Sequence, residues 1–92
     1  MRIRFSKRAL EDLDEIYSYI AQDSETYAGR TVAKLVAIAE GLLEFPHSGR
    51  LVQDADIPNT RERIHSNYRI AYIVDGEVIV IMTIHHSARQ AR

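Results

Sequence analysis

The stretch Thr83 to Gln90, TIHHSARQ, sets two adjacent histidines and an arginine directly after a long apolar run. Histidine titrates near neutral pH and can take or give a proton, while arginine holds charge on a phosphate. Cleaving RNA without a metal needs that combination: a base for the 2′-hydroxyl, an acid for the leaving 5′-oxygen, and cations around the phosphate. Arg61, Arg63, Arg69 and Arg89 could hold the phosphate, and His65, His85 or His86 could move the protons. Metal chemistry has less to stand on. Adjacent residues on a strand point to opposite faces, and no acidic cluster adjoins His85 and His86 to complete a site. Neither a metal nor a cofactor is expected.

Each of these residues also has a plainer use. An arginine at a strand start, such as Arg69, more often pairs with a carboxylate and holds local structure. Arg50 in PHSGR is expected to support a turn or cap helix carbonyls, and Gly49 to serve backbone geometry. Tyr17, Tyr19 and Tyr27 read as helix-packing or rim residues, because base-stacking platforms normally accompany a basic groove. The acidic set Glu11, Asp12, Asp14 and Glu15 reads as a solvated helix face. His47 has no assigned role.

The elements that must position these groups follow from periodicity. RIRF is a short strand, and Ser6 stands where a helix N-cap belongs, with Phe5 and Leu10 at the spacing of a hydrophobic staple. Leu10, Leu13, Ile16, Tyr17 and Ile20 recur at helical spacing, which turns Glu11, Asp12 and Glu15 largely outward. Ser24 is a second N-cap, with Glu25 suited to the positive end of the helix dipole. The stripe Ala28, Val32, Leu35, Val36, Ala39, Leu42 and Leu43 carries that helix to about Glu44, where Pro46 stops it, a length of about 30 Å. The short linker between the helices makes them an antiparallel hairpin.

FPHSGRLVQDADIPNT lacks either period and reads as a loop. Period two then appears: RERIHS is a strand, and YRIAYIV and EVIVIMTIH flank Asp75-Gly76, a strong hairpin signal. With those two residues as the turn, Val74 faces Glu77, Tyr72 faces Ile79, Ile70 faces Ile81 and Arg69 faces Met82. Extended further, Ser66 faces His85 and His65 faces His86. One face then carries Tyr68, Ile70, Tyr72, Ile79, Ile81 and Thr83, and the other Arg69, Ala71, Ile73, Val78, Val80, Met82 and Ile84. Both faces are apolar, more than one helical hairpin can cover, so a second polypeptide is expected on the far side.

Composition bounds what such a protein can be. The 92 residues are expected to form one domain, 1–92, and 46% hydrophobic with 27% charged residues is a globular balance. Without cysteine there is no disulfide framework, thiolate nucleophile or thiolate metal site. No sustained apolar segment suggests a signal peptide or membrane span, so a soluble protein in the cytoplasm is expected, with no membrane partner. The net charge of -1 argues against affinity built on many phosphate contacts. The charge is uneven, however: from Arg61 onward Arg61, Arg63, Arg69, Arg89 and Arg92 face only Glu62, Asp75 and Glu77.

Taken together, FSKRALEDLDEIYSYI, PHSGR, RERIHSNYRIAYIVDGEVIVIMTIHHSAR and the closing pair His86 and Arg89 resemble the RelE/ParE superfamily of bacterial type II toxins over nearly the whole chain. The resemblance implies an α+β fold, β-α-α-β-β-β, with a helical hairpin packed on a small, mostly antiparallel sheet. It implies a cognate antitoxin whose C-terminal segment wraps the toxin as a hetero-oligomer and supplies the missing cover. Arg61, Arg63, Tyr68, Arg69, His86 and Arg89 are the positions that would meet antitoxin or target. RelE-like members cut messenger RNA on the ribosome, and here Arg61, Arg69, His85, His86 and Arg89 would be the catalytic set. ParE-like members poison DNA gyrase without chemistry of their own. The slightly acidic charge, the presence of only Lys7 and Lys34 as lysines, and the lack of a tyrosine after the last strand point to the ParE-like branch. A third reading is a non-toxic member that only binds antitoxin.

Overall fold

A computed structural model describes residues 1–87. The elements are β1 (Arg2–Phe5), α1 (Lys7–Ala21), α2 (Glu25–Gly41), β2 (Arg50–Leu51), β3 (Arg61–His65), β4 (Tyr68–Asp75) and β5 (Val78–His86). They give the expected β-α-α-β-β-β order, with a two-residue strand, β2, inside the segment expected to be all loop. The sheet runs β1-β5-β4-β3-β2, and β1 lies parallel to β5 while every other pair is antiparallel.

Both helices start where their serines require. Ser6, extended at φ -65° and ψ 164°, accepts the Ala9 N–H, and Ser24 accepts the Tyr27 N–H. Each such cap is worth about 1 kcal/mol. Leu10, expected to staple to Phe5, is 52% exposed, while Phe5 packs against the core. The entry angle of α1 is instead set by Ser6 itself, whose N–H donates to Ile81 O and whose hydroxyl donates to Met82 O at 2.8 Å. Helix α2 ends at Gly41 rather than near Glu44. Its last turns tighten, with Leu42, Leu43 and Glu44 donating to carbonyls three residues back, which satisfies orphan C=O groups as the chain leaves the helix.

The hairpin differs from expectation in register. The turn is Gly76-Glu77, with Asp75 opposite Val78, because the left-handed φ of +61° falls on Gly76 as the first central residue. Moving the turn by one residue shifts every pair by two, so the faces keep their members: Tyr72 now meets Ile81 and Val74 meets Ile79. Further along, the register shifts again at Ala71/Tyr72, where Met82 is the extra residue of a bulge. Beyond it the faces of β5 exchange, so Ile84 joins the helix side and Thr83 leaves it. Arg69 therefore faces His85 rather than Met82, and Tyr68 rather than His65 faces His86.

The core lies between the sheet and the helical hairpin: Ala9, Leu13, Ile16, Leu35, Ala39 and Leu42 meet Ile70, Tyr72, Ile79, Ile81 and Ile84. Asp12 sits among them, only 5% exposed, and not on the solvated face where the acidic run placed it. Strand β1 pairs with β5 only as far as Ile81, so among the described residues no strand lies beside the edge of β5 past the bulge. Ser6 and Asp12 take over: Asp12 Oδ2 accepts the Ile84 N–H at 2.9 Å, and Oδ1 accepts from Arg8 Nε at 3.1 Å. That hydrogen bond, with the charge behind it, raises the pKa of Arg8. A buried carboxylate is tolerated because both its oxygens are used.

Candidate functional site

Among the described residues no helix lies over the far face of the sheet. Its apolar side chains are Ala71, Ile73, Val78 and Met82, all half-buried, Ile64 at 45% exposed, and Val80, buried between the neighbouring strands, and the register sets Glu62, paired with Arg50, and Thr83 on either side of Ala71. Register places Arg4 beside Val80, and Arg69 between Ile64 and His85. Among the described residues the ion pairs are Arg8–Asp12 and Arg50–Glu62, so Arg4 and Arg69 stand exposed with no carboxylate partner. The result is an apolar strip bracketed by guanidinium groups.

Arg61 has a different task. Its side chain points to the helix side, where Nη1 donates to Gly49 O at 2.8 Å and to His47 O at 3.1 Å. The buried Tyr72 hydroxyl clamps the same loop by accepting the Gly49 N–H at 2.8 Å and donating to Pro46 O at 2.9 Å. Gly49 is required by this closeness rather than by its own dihedrals. A Cβ there would lie 2.6 Å from Tyr72 Oη and 2.8 Å from Glu62 O. Arg50, expected to support this turn, instead donates Nε and Nη2 to Glu62 Oε1 on the neighbouring strand.

Among the described residues the histidines do not form one centre with the arginines. Tyr68 and His86 meet edge to face at 4.9 Å on the helix side, whereas Arg69 and His85 sit opposite each other on the far side. With Arg61 committed to the loop, the described members of the nuclease set are spread over both faces; Arg89 lies outside the described residues. Arg63 is exposed on the helix side of β3. Among the described residues no three His, Asp or Glu side chains come together as a metal site would need, and no helix is long and apolar enough to cross a membrane.

Two grooves flank the helices. One, about 540 Å³, lies between α1 and the end of β5 and mixes Arg8, Asp12 and Glu15 with Tyr19, His85 and His86. The other, about 220 Å³, lies between α2 and the β3–β4 turn, lined by Tyr27, Arg30, Lys34, His65 and Tyr68 over Leu35. Sequence reasoning missed Asp12, Tyr72 and this second groove. The signal for Asp12 was its helical spacing from Ala9 and Ile16, which puts it in the buried arc. Tyr72 and the groove join residues far apart in the chain, which no local pattern reveals.

The profile of the ParE toxin of type II toxin–antitoxin systems, parDE, matches residues 3–91. The protein Y4kP of Sinorhizobium fredii is 38% identical over 97% of this chain and 91% of its own length. Toxin RelE2 of Caulobacter vibrioides is 37% identical over 89% of this chain and 90% of its own. The same fold occurs in the chromosomal ParDE system of P. aeruginosa, with a TM-score of 0.76 and 22% identity over 94% of this chain and 95% of that one. It also occurs in the RelBE2 toxin–antitoxin complex of Mycobacterium tuberculosis, with a TM-score of 0.70 and 24% identity over 92% and 95%. With the profile and both relatives spanning nearly all of it, this chain belongs to the ParE toxin family of type II toxin–antitoxin systems.

Proposed function

We propose that this protein is a cytoplasmic toxin that poisons DNA gyrase by surface complementarity and is restrained by a cognate antitoxin. The observation that carries the partner is the far face of the sheet, apolar through Ile73, Met82 and Ile64 and bracketed by Arg4 and Arg69, which have no ion-pair partner among the described residues, while Glu62 on the same face is taken by Arg50. An amphipathic, acidic antitoxin segment supplies both missing components, burying the strip and meeting the guanidinium groups. Of the positions expected to meet a partner, Arg69 lies on this face, and Arg63, Tyr68 and His86 belong to the helix side. The dispersal of Arg61, Arg69, His85 and His86 supports a binding poison over a nuclease, since proton transfer needs its groups within hydrogen-bond reach of one phosphate.

The test is a purified supercoiling reaction run beside a reconstituted translation reaction. Loss of supercoiling with accumulation of cleaved DNA, reversed by antitoxin, is expected. Prompt codon-positioned cleavage of messenger RNA on ribosomes, with supercoiling intact, would replace this reading with the RelE-like one. Activity in neither reaction, with antitoxin binding retained, would leave a non-toxic binder.

A further inference from the structure

We propose that the groove between α2 and the β3–β4 turn binds single-stranded DNA. This goes beyond antitoxin binding; only the choice of DNA over RNA rests on the gyrase reading, which brings the protein to DNA with opened strands.

Helical spacing places Tyr27, Arg30, Lys34 and Ile38 on one face of α2, a run of about 16 Å. Tyr27 is 62% exposed. Arg30 and Lys34 are exposed as well, and neither has an ion-pair partner among the described residues. His65 and Tyr68 form the opposite wall, and the buried Leu35 closes the floor. Among the described residues no carboxylate lines this groove, in contrast to the one beside α1, which Asp12 and Glu15 enter. Further along α2 a second depression of about 270 Å³ adds Arg63 and Phe45, the latter 69% exposed, with Glu44 as its one acid.

The arrangement is thus a line of cations, Arg30, Lys34 and Arg63, with an exposed aromatic ring at each end. Cations alone would suit an acidic peptide equally well. The rings decide for nucleic acid, since every base offers a face to stack on and successive phosphates follow the cations. A single strand is required because bases inside a duplex already cover one another's faces by stacking. The sequence argument against stacking was the want of a basic groove beside the tyrosines, and the tertiary structure provides one at Tyr27.

The test uses the full-length protein and fluorescence anisotropy of a labelled oligothymidine of about ten nucleotides, within the usual range for such grooves. Three phosphate contacts predict that log affinity falls against log salt with a slope of about -2. Tyr27→Ala is expected to weaken binding about tenfold, and Arg30→Glu with Lys34→Glu to abolish it. All three side chains are exposed, so melting temperature and antitoxin binding should stay as in the parent protein. The proposal is overturned if the parent protein binds no oligonucleotide at low salt, if the variants bind as the parent does, if an oligo-uridine RNA is bound to the exclusion of DNA, or if a polyglutamate peptide binds more tightly than the oligonucleotide. A parent protein that poisons gyrase without binding the oligonucleotide would end this proposal and leave the gyrase reading standing.

Discussion

The two faces of the sheet have similar raw material and different fates. On the helix side Ile70, Tyr72, Ile79, Ile81 and Ile84 are almost wholly buried by the hairpin of α1 and α2. On the far side Ile64, Ile73, Val78 and Met82 keep solvent contact, with arginines at their margins and no second layer among the described residues. Apolar area stabilises only when it is removed from water, so the first face contributes to folding, and the second can contribute only once the proposed partner covers it. Substitutions on the two faces should therefore separate stability from binding.

Leu35→Ala, in the layer covering the helix side, should produce the largest loss, about 2–5 kcal/mol by urea unfolding, as for other fully buried leucines. A loss under about 1 kcal/mol would mean that α2 covers the sheet less tightly than the burial of Leu35 indicates. Asp12→Ala removes the acceptor of the buried Ile84 N–H and should cost about 1–3 kcal/mol. Amide exchange at Ile84 should accelerate selectively, and unchanged exchange there would show that the β5 edge does not depend on Asp12. Gly49→Ala forces a methyl group against the Tyr72 hydroxyl and the Glu62 carbonyl, with an expected loss of about 1–3 kcal/mol. On the far face, Ile64→Glu should change stability by under about 1 kcal/mol while sharply weakening antitoxin capture, measured by titration calorimetry. Capture at parental strength would remove this face from the interface. Arg50→Ala, which removes the exposed half of the ion pair with Glu62, whose side chain is only 10% exposed, should cost about 1 kcal/mol in a melting curve.

Much of the fold was legible because it is written locally. Ser6 and Ser24 announce both helices through their own side-chain acceptors, and the alternation in YRIAYIV and EVIVIMTIH announces two strands. The face assignment survived the error in the turn because a hairpin whose turn moves by one residue shifts its pairing by two. It failed only past Met82, where a bulge reverses parity without any glycine or proline to mark it. The candidate site was less legible. Arg61 and Arg50 are both arginines near the PHSG loop, and only the direction of β3 decides that Arg61 reaches its carbonyls while Arg50 pairs across to Glu62.

Local order along the chain, meaning which segments wind, which extend and which side chains are apolar, was determined by the sequence itself, since caps and periodicity act within a few residues. Only the tertiary structure decided that Asp12 would accept the Ile84 N–H, that Tyr72 would hold the loop at Gly49, and that Tyr27, Arg30 and Lys34 would look across a groove at His65. Those outcomes depend on which backbone groups the sheet leaves unpaired and which distant surfaces the fold brings together, and neither is encoded in any short stretch of residues.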